Sequence, residues 1–159
     1  DTTALRLFNV YGPGQQLYRI VTRSFLFANI GRKLQLHGGG NSIRSFIHID
    51  DVVNATRKIA LDGVPGESYH ISTSETVSIR KLVEKICAIT DIKFEELAEM
   101  TEERMGKDYA YLLESSKVRK QFNWSDLIKL DQGLQETSNW IKENLETLKQ
   151  QPYYYAHKP

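Results

Sequence analysis

Apolar and polar positions along this chain alternate between two periods, and the changes of period mark its elements. Ala4 to Val10 is short, mostly apolar and followed by Gly12-Pro13-Gly14, the pattern of a buried strand that ends in a turn. From Leu17 to Ile30 the positions Leu17, Ile20, Val21, Ser24, Phe27 and Ala28 share one helical face, and Gly31 stands where a left-handed C-cap belongs. Leu34 to His37 predicts a brief strand running into the turn Gly38-Gly39-Gly40-Asn41, and Ser45 to Ile49 predicts the next ordered piece. Asp50 or Asp51 predicts the N-cap of a helix with Val52, Val53, Ala55, Ile59 and Ala60 on its apolar positions, ending near Gly63.

The second half repeats the alternation. Pro65-Gly66 turns the chain into a strand over 68–72, and Ser78 predicts the cap of a helix whose Ile79, Leu82, Val83 and Ile86 follow the i, i+3, i+4, i+7 rule. Residues 94–104 are charged with a thin apolar stripe and read as a short surface helix or a loop. Ser115 or Ser116 starts a short helix through Phe122, and Asp131 starts a longer one that Gln151-Pro152 stops. The fold class is α/β, with short strands alternating with helices. Residues 1–150 form one domain and 151–159 an aromatic tail, whose three consecutive tyrosines either cover a partner or pack back on the surface.

Composition narrows the setting. At 159 residues the chain can bury a core without disulfide or metal staples. Twenty-one Lys and Arg against twenty Asp and Glu, mixed along the chain, argue against nucleic acid as a partner. No apolar run reaches the ~20 residues that span a bilayer. Cys87, the one cysteine, sits in an apolar helical pattern as a core residue, which fits a reducing cytoplasmic location. His37, His48, His70 and His157 show no metal-ligand spacing, so no metal is expected. The chain opens directly into an apolar strand, as a fragment of a longer protein would. That strand is expected to lack its parallel neighbours, and its open edge points to self-association into a homo-oligomer.

Two segments carry candidate chemistry. Asn9 ends a buried strand, where α/β sheets bind ligands, and its amide either donates to a phosphate oxygen or ties down the Gly12-Pro13 turn. Arg44 follows the triple-glycine turn. Its planar, permanently charged fork suits a diphosphate, against the plain alternative of a surface arginine in a hairpin. Asp51 reads as a helix cap.

In this order and at this separation, Asn9-Val10-Tyr11-Gly12-Pro13 and the run from Gly38 to Val52 resemble the extended short-chain dehydrogenase/reductase family acting on nucleotide sugars, closest to the dTDP-glucose 4,6-dehydratases. Gly106-Lys107-Asp108, Ser115-Ser116-Lys117-Val118-Arg119 and Phe122-Asn123-Trp124 extend the resemblance. It implies the C-terminal, substrate-binding part of a Rossmann-type NAD-dependent epimerase or dehydratase. Asn9 and Arg44 would contact the diphosphate of a nucleotide-diphosphate sugar, Leu36 and His37 would flank the base, and Arg19 and Ile20 would line the nucleotide site. Many relatives carry an arginine after the position of Asp108 to hold ribose or phosphate; with Tyr109, Ala110 and Tyr111 there instead, that contact is either lost or supplied by Lys107. Many dTDP-glucose dehydratases have Asn where His70 stands.

The resemblance further implies transient oxidation at sugar C4 by NAD or NADP bound to an N-terminal half absent from this chain. The fragment itself is expected to bind no cofactor, to lack the Tyr-Lys catalytic pair and to be inactive alone. The alternative is a non-catalytic nucleotide-sugar-binding or dimerisation module.

Overall fold

The computed structural model describes residues 2–103, 106 and 108–155. In chain order the elements are β1 (Ala4–Leu7), β2 (Val10–Tyr11), α1 (Ile20–Ile30), β3 (Leu34–His37), β4 (Ile43–Arg44), β5 (Ile47–His48), α2 (Ile49–Asp62), β6 (Ser68–Ile71), β7 (Val77–Ser78), α3 (Ile79–Thr90), α4 (Phe94–Leu97), β8 (Ala98–Thr101), β9 (Ala110–Tyr111), α5 (Ser116–Phe122), α6 (Leu130–Glu143) and α7 (Leu145–Leu148). Short strands pair in parallel, β1 with β6, β2 with β5, β3 with β8 and β4 with β9, while β7 joins β4 antiparallel. Parallel pairs need long crossovers, and the helices supply them.

The core has two parts. The larger lies between α1, α3 and α6, where Phe25, Leu26, Leu82, Val83, Ile86, Leu134 and Ile141 are buried, with Cys87 among them. The smaller packs Ala55 and Ile59 of α2 against Tyr69 and Ile71 of β6, Val118 of α5 and Trp124. The α3 and α6 residues follow the stripes seen in the sequence, whereas α1 is buried more widely, adding Phe25 and Leu26 to its predicted face, and Val53 and Ala60 of the α2 stripe are exposed. Predicted caps also form: Gly31 closes α1 at φ 67°, and Ser78 Oγ accepts from the Lys81 amide at 3.1 Å.

Five predictions are corrected. The buried strand predicted over Ala4 to Val10, expected to lack its parallel neighbours, is two strands broken at Phe8-Asn9: β1 is mostly exposed and pairs in parallel with β6, and β2 pairs in parallel with β5. Helix α1 begins at Ile20 instead of Leu17; Leu17 is buried in the turn before it. Within the predicted surface helix or loop, 98–101 form a strand, because β3 offers a free edge to pair with. The long C-terminal helix breaks at Asn144 into α6 and α7.

The fifth correction concerns Asp50 and Asp51. The N-cap of α2 is His48, whose Nδ1 accepts from the Asp50 amide at 3.4 Å. Asp51 is buried and accepts two remote amides instead, Leu127 N–H at 2.9 Å and Ile128 N–H at 3.0 Å. Its carboxylate ties the loop before α6 to the start of α2.

Candidate functional site

The break between β1 and β2 builds the site. Asn9 has φ 48°, a left-handed conformation that its short amide side chain tolerates better than most. The kink sends β1 along β6 and β2 along β5. The segment after it then bounds a cleft of about 950 Å³, whose walls include Asn9, Gln15, Tyr18, Arg19, Ile20 and Tyr155. Three of the residues singled out in the sequence, Asn9, Arg19 and Ile20, therefore share one cleft.

Two polar atoms in its wall are unmatched. Asn9 Nδ2 and Gln15 Oε1 are shut off from solvent and have no hydrogen-bond partner. The orientation of Gln15 follows from its other end: its amide nitrogen donates to the Val10 carbonyl, which only accepts, so the oxygen is the end left over. Leaving such a group unpaired costs about 1–3 kcal/mol. Gln15 was not foreseen from the sequence; a lone polar residue in a glycine turn carries no signal that separates it from ordinary loop residues.

Arg44 does not line that cleft. Its guanidinium donates to three backbone carbonyls, from Nη1 to Ile43 at 2.6 Å and Tyr109 at 3.3 Å, and from Nη2 to Asp108 at 2.9 Å. Three of its five N–H groups are so occupied, and among the described residues no carboxylate neutralises it. Its neighbours in the chain and in the sheet touch the segment around Asn9. Tyr111, its register partner, sets its ring edge-on to Phe8 at 4.5 Å, and the Ile47 amide donates to the Asn9 carbonyl at 3.3 Å.

Leu36 and His37 lie apart from the cleft. The Leu36 side chain is buried in the larger core, and His37 Nδ1 sits 2.8 Å from Thr101 Oγ1 and 3.2 Å from the Glu102 carbonyl. All three glycines of the turn after them have positive φ, which bends the chain from β3 back to β4. Lys107 lies outside the described residues. His70 is in β6, opposite Arg6 of β1.

The tail packs back. Tyr153 meets Phe27 edge-on at 5.5 Å and receives both a hydrogen bond and the cationic face of Arg32, 4.9 Å from its centroid. Tyr155 meets Tyr18 edge-on at 5.2 Å on the cleft wall. The tail also corrects an expectation about catalytic spacing. Tyr154 and Lys158 stand four residues apart, the one Tyr-x-x-x-Lys in the chain. Tyr154 is 66% exposed in a bend, not on a helix, and Lys158 lies outside the described residues.

Gly12-x-Gly14 follows β2, but Leu17 occupies the third glycine position and the helix starts only at Ile20, which departs from the dinucleotide-binding fingerprint. His48, Asp50 and Glu136 come within 4.8 Å of one another, which sequence spacing did not reveal. Because His48 Nδ1 accepts the Asp50 amide, the ring proton belongs on Nε2, which faces Glu136 Oε2 at 3.5 Å. At that distance His48 Nε2 makes no hydrogen bond and is one of the buried polar atoms without a partner, while Glu136 is 41% exposed.

The family model for GDP-mannose 4,6 dehydratase matches residues 1–137. The chain belongs to that family. As a member of the GDP-mannose 4,6 dehydratase family it is similar to the dTDP-glucose 4,6-dehydratase of Neisseria gonorrhoeae, at 27% identity over 86% of this chain and 42% of that protein. A trifunctional UDP-glucose 4,6-dehydratase, epimerase and reductase of Arabidopsis thaliana is 29% identical over 87% of this chain and 20% of its own length. Among solved structures, the NAD complex of dTDP-glucose 4,6-dehydratase from Bacillus anthracis superposes with a TM-score of 0.85 at 28% identity, covering 92% of this chain and 46% of that one. The UDP-glucose 4-epimerase of Thermotoga maritima, solved with UDP-glucose, gives 0.82 at 25% identity over 90% and 46%.

The chain thus spans less than half the length of these relatives. Its α/β arrangement is that of Rossmann-type short-chain dehydrogenases, the family is enzymatic, and complete members of it have been solved with NAD. No helix among the described residues is long and apolar enough to cross a membrane.

Proposed function

We propose that this chain is the substrate-binding part of an NAD-dependent nucleotide-sugar epimerase or dehydratase and holds the diphosphate of a nucleotide-diphosphate sugar while chemistry proceeds elsewhere in the protein. The observation that carries this reading is the convergence of Asn9, Arg19 and Ile20 on one cleft, with Asn9 Nδ2 lacking a partner there. A phosphate oxygen is the natural acceptor for that amide. A ligand hydroxyl is an equally natural donor for Gln15 Oε1, and a sugar nucleotide supplies both. Both atoms are closed off at present, so binding requires their side chains to rotate towards the cleft.

Arg19 adds a cation at the rim. Arg44 keeps two N–H groups uncommitted by its three carbonyl bonds, enough for one bidentate phosphate contact. Fixing the diphosphate is catalytically useful, because holding reactants in attack geometry supplies up to ~7–11 kcal/mol of a barrier, and binding energy at a remote group is one source of it. We assign no hydride step to this chain's residues. Residues 1–150 act as the binding domain, and the rest of the enzyme, including a partner for the β1 edge, comes from further protein.

The test is calorimetric binding of UDP, dTDP and GDP to the protein in its full natural length. Arg44→Ala is expected to weaken the best of them by roughly 2 kcal/mol, the low end for a charge pair that water reaches. Asn9→Leu should weaken it as well. Absence of binding by all three nucleotides, or unchanged affinity in both variants, refutes the reading. A non-catalytic binding module would bind equally well but show no turnover of any nucleotide sugar.

A further inference from the structure

A buried polar network stands behind Arg44. The Arg44 guanidinium donates to Ile43 in β4 and to Asp108 and Tyr109 just before β9, so it moves with those two strands. Each is two residues long, too short a ladder to fix its own place against Asn9.

Both strands are tied to one residue, Ser72, which follows β6. Ser45, next to Arg44, is buried with its Oγ 3.0 Å from Ser72 Oγ; because the Ser72 hydroxyl donates to the Thr73 carbonyl at 3.3 Å, Ser45 is the donor of the pair. Ser115, past β9, is buried too and donates to the Ser72 carbonyl at 3.1 Å. Strand β6 in turn pairs with β1, which runs into Asn9. Ser72 therefore joins the strands that carry the cation to the strand pair that leads to the amide.

Arg119 of α5 holds that junction. Its Nη2 donates to the Ser72 carbonyl at 2.9 Å and to Asp126 Oδ1, and its Nε donates to Ser115 Oγ at 3.0 Å. Asp126 Oδ2 accepts from Thr73 Oγ1 at 2.7 Å, and the guanidinium lies over the Trp124 ring at 5.0 Å. One planar fork thus sets the backbone of Ser72, the hydroxyl of Ser115 and the carboxylate of Asp126 at fixed angles. Desolvation of a largely buried ion pair offsets much of its Coulombic gain, so fold stability alone does not account for the arrangement. What a rigid fork adds is geometry.

Resting on the function proposed above, we propose that Arg119, acting through Ser72, is a positioning residue for diphosphate binding: it keeps the strands that carry Arg44 in place against Asn9, so that cation and amide meet the same pyrophosphate. Arg119 does not line the cleft and acts only through its hydrogen bonds. Loosening the junction lets the Arg44 guanidinium drift, and a binding group held less closely than about 0.5 Å loses the contact it was built for. The loss cannot exceed what Arg44 itself contributes, about 30-fold for the roughly 2 kcal/mol assigned to it.

The experiment is a double-mutant cycle on the protein in its full natural length, read by calorimetry with UDP, dTDP and GDP. Arg119→Ala and Ser45→Ala are each made in wild type and in Arg44→Ala. In wild type, Arg119→Ala is expected to weaken the best nucleotide about tenfold and Ser45→Ala about threefold; in Arg44→Ala each should cost less than about twofold, because the contact they position is already gone. Arg119→Lys keeps a charge beside Asp126 but cannot serve Ser72 and Ser115 together; it replaces Arg119→Ala if that variant does not fold, and should show the same dependence on Arg44. Lys120→Ala, exposed on the same helix, should change nothing. Affinity unaltered in the Arg119 variant or in Ser45→Ala overturns the inference, and so does equal weakening in both backgrounds, the mark of a merely structural role. Those results leave the proposed function standing as long as Arg44→Ala or Asn9→Leu weakens binding. Failure of wild type to bind any of the three nucleotides overturns both.

Discussion

Asp51 is where a plain helix cap and a long-range latch predict different numbers. As a cap, Asp51 would be replaceable by Asn or Ser at almost no cost, because the three serve nearly equally at that position. In the structure its carboxylate instead receives the Leu127 and Ile128 amides, across more than seventy residues, from a 5%-exposed position. Hydrogen bonds to a charged group are worth about 1.5–3 kcal/mol each. Leu127 is 76% exposed, so water partly replaces its bond once the carboxylate is gone, and the total for Asp51→Ala falls to about 2–4 kcal/mol. For a domain of this size that is a fall in Tm of roughly 5–15 °C. Asp51→Asn should lose about half as much, because its amide nitrogen would face one of the two N–H donors with a donor of its own. Urea unfolding of wild type, Asp51→Ala, Asp51→Asn and Asp51→Ser measures this directly. Asn and Ser variants within about 0.5 kcal/mol of wild type would refute the latch and restore the simple cap.

Three other outcomes are expected. Gly133→Ala in α6 should destabilise the fold by about 1–3 kcal/mol despite alanine's better helix propensity, since its Cβ would lie 2.3 Å from the Tyr11 hydroxyl and 2.9 Å from His48 Cδ2; thermal melting checks it. Burial alone would raise the pKa of Asp126, but hydrogen bonds from Arg119 and Thr73 outweigh it and hold the carboxyl below its ordinary 3.8. Its contribution is therefore complete above about pH 4 and lost as pH falls through the folded value, and Arg119→Ala should move the Asp126 carboxyl titration upward by NMR. Finally, β1 has a paired edge only toward β6 among the described residues and leaves Leu7 39% exposed, so this chain expressed alone should self-associate, and Leu7→Lys should reduce that in light scattering.

How much was legible follows from the range of the forces involved. Periodicity and capping are local: the stripes of α1, α2, α3 and α6, the Ser78 cap and the Gly31 cap depend on residues within a turn or two of each other, and each could be read directly. Asn9, Arg19 and Ile20 could be named because motif order carried them, although only the kink at Asn9 put them in one cleft. What sequence could not supply is what distant segments do to one another. Residues 98–101 become a strand because β3, some sixty residues earlier, offers an edge, and charged residues that look like a loop can fill a ladder whose bonds are all backbone. Asp51 exchanges a local donor for two remote ones, and Tyr155 meets Tyr18 only because Tyr153 docks on α1. Amino-acid order thus determined which segments would be helical, where several of them end and which residue types were available for phosphate chemistry. Packing decided which of those residues meet, since burial and hydrogen-bond satisfaction depend on neighbours brought together only when the whole chain has folded.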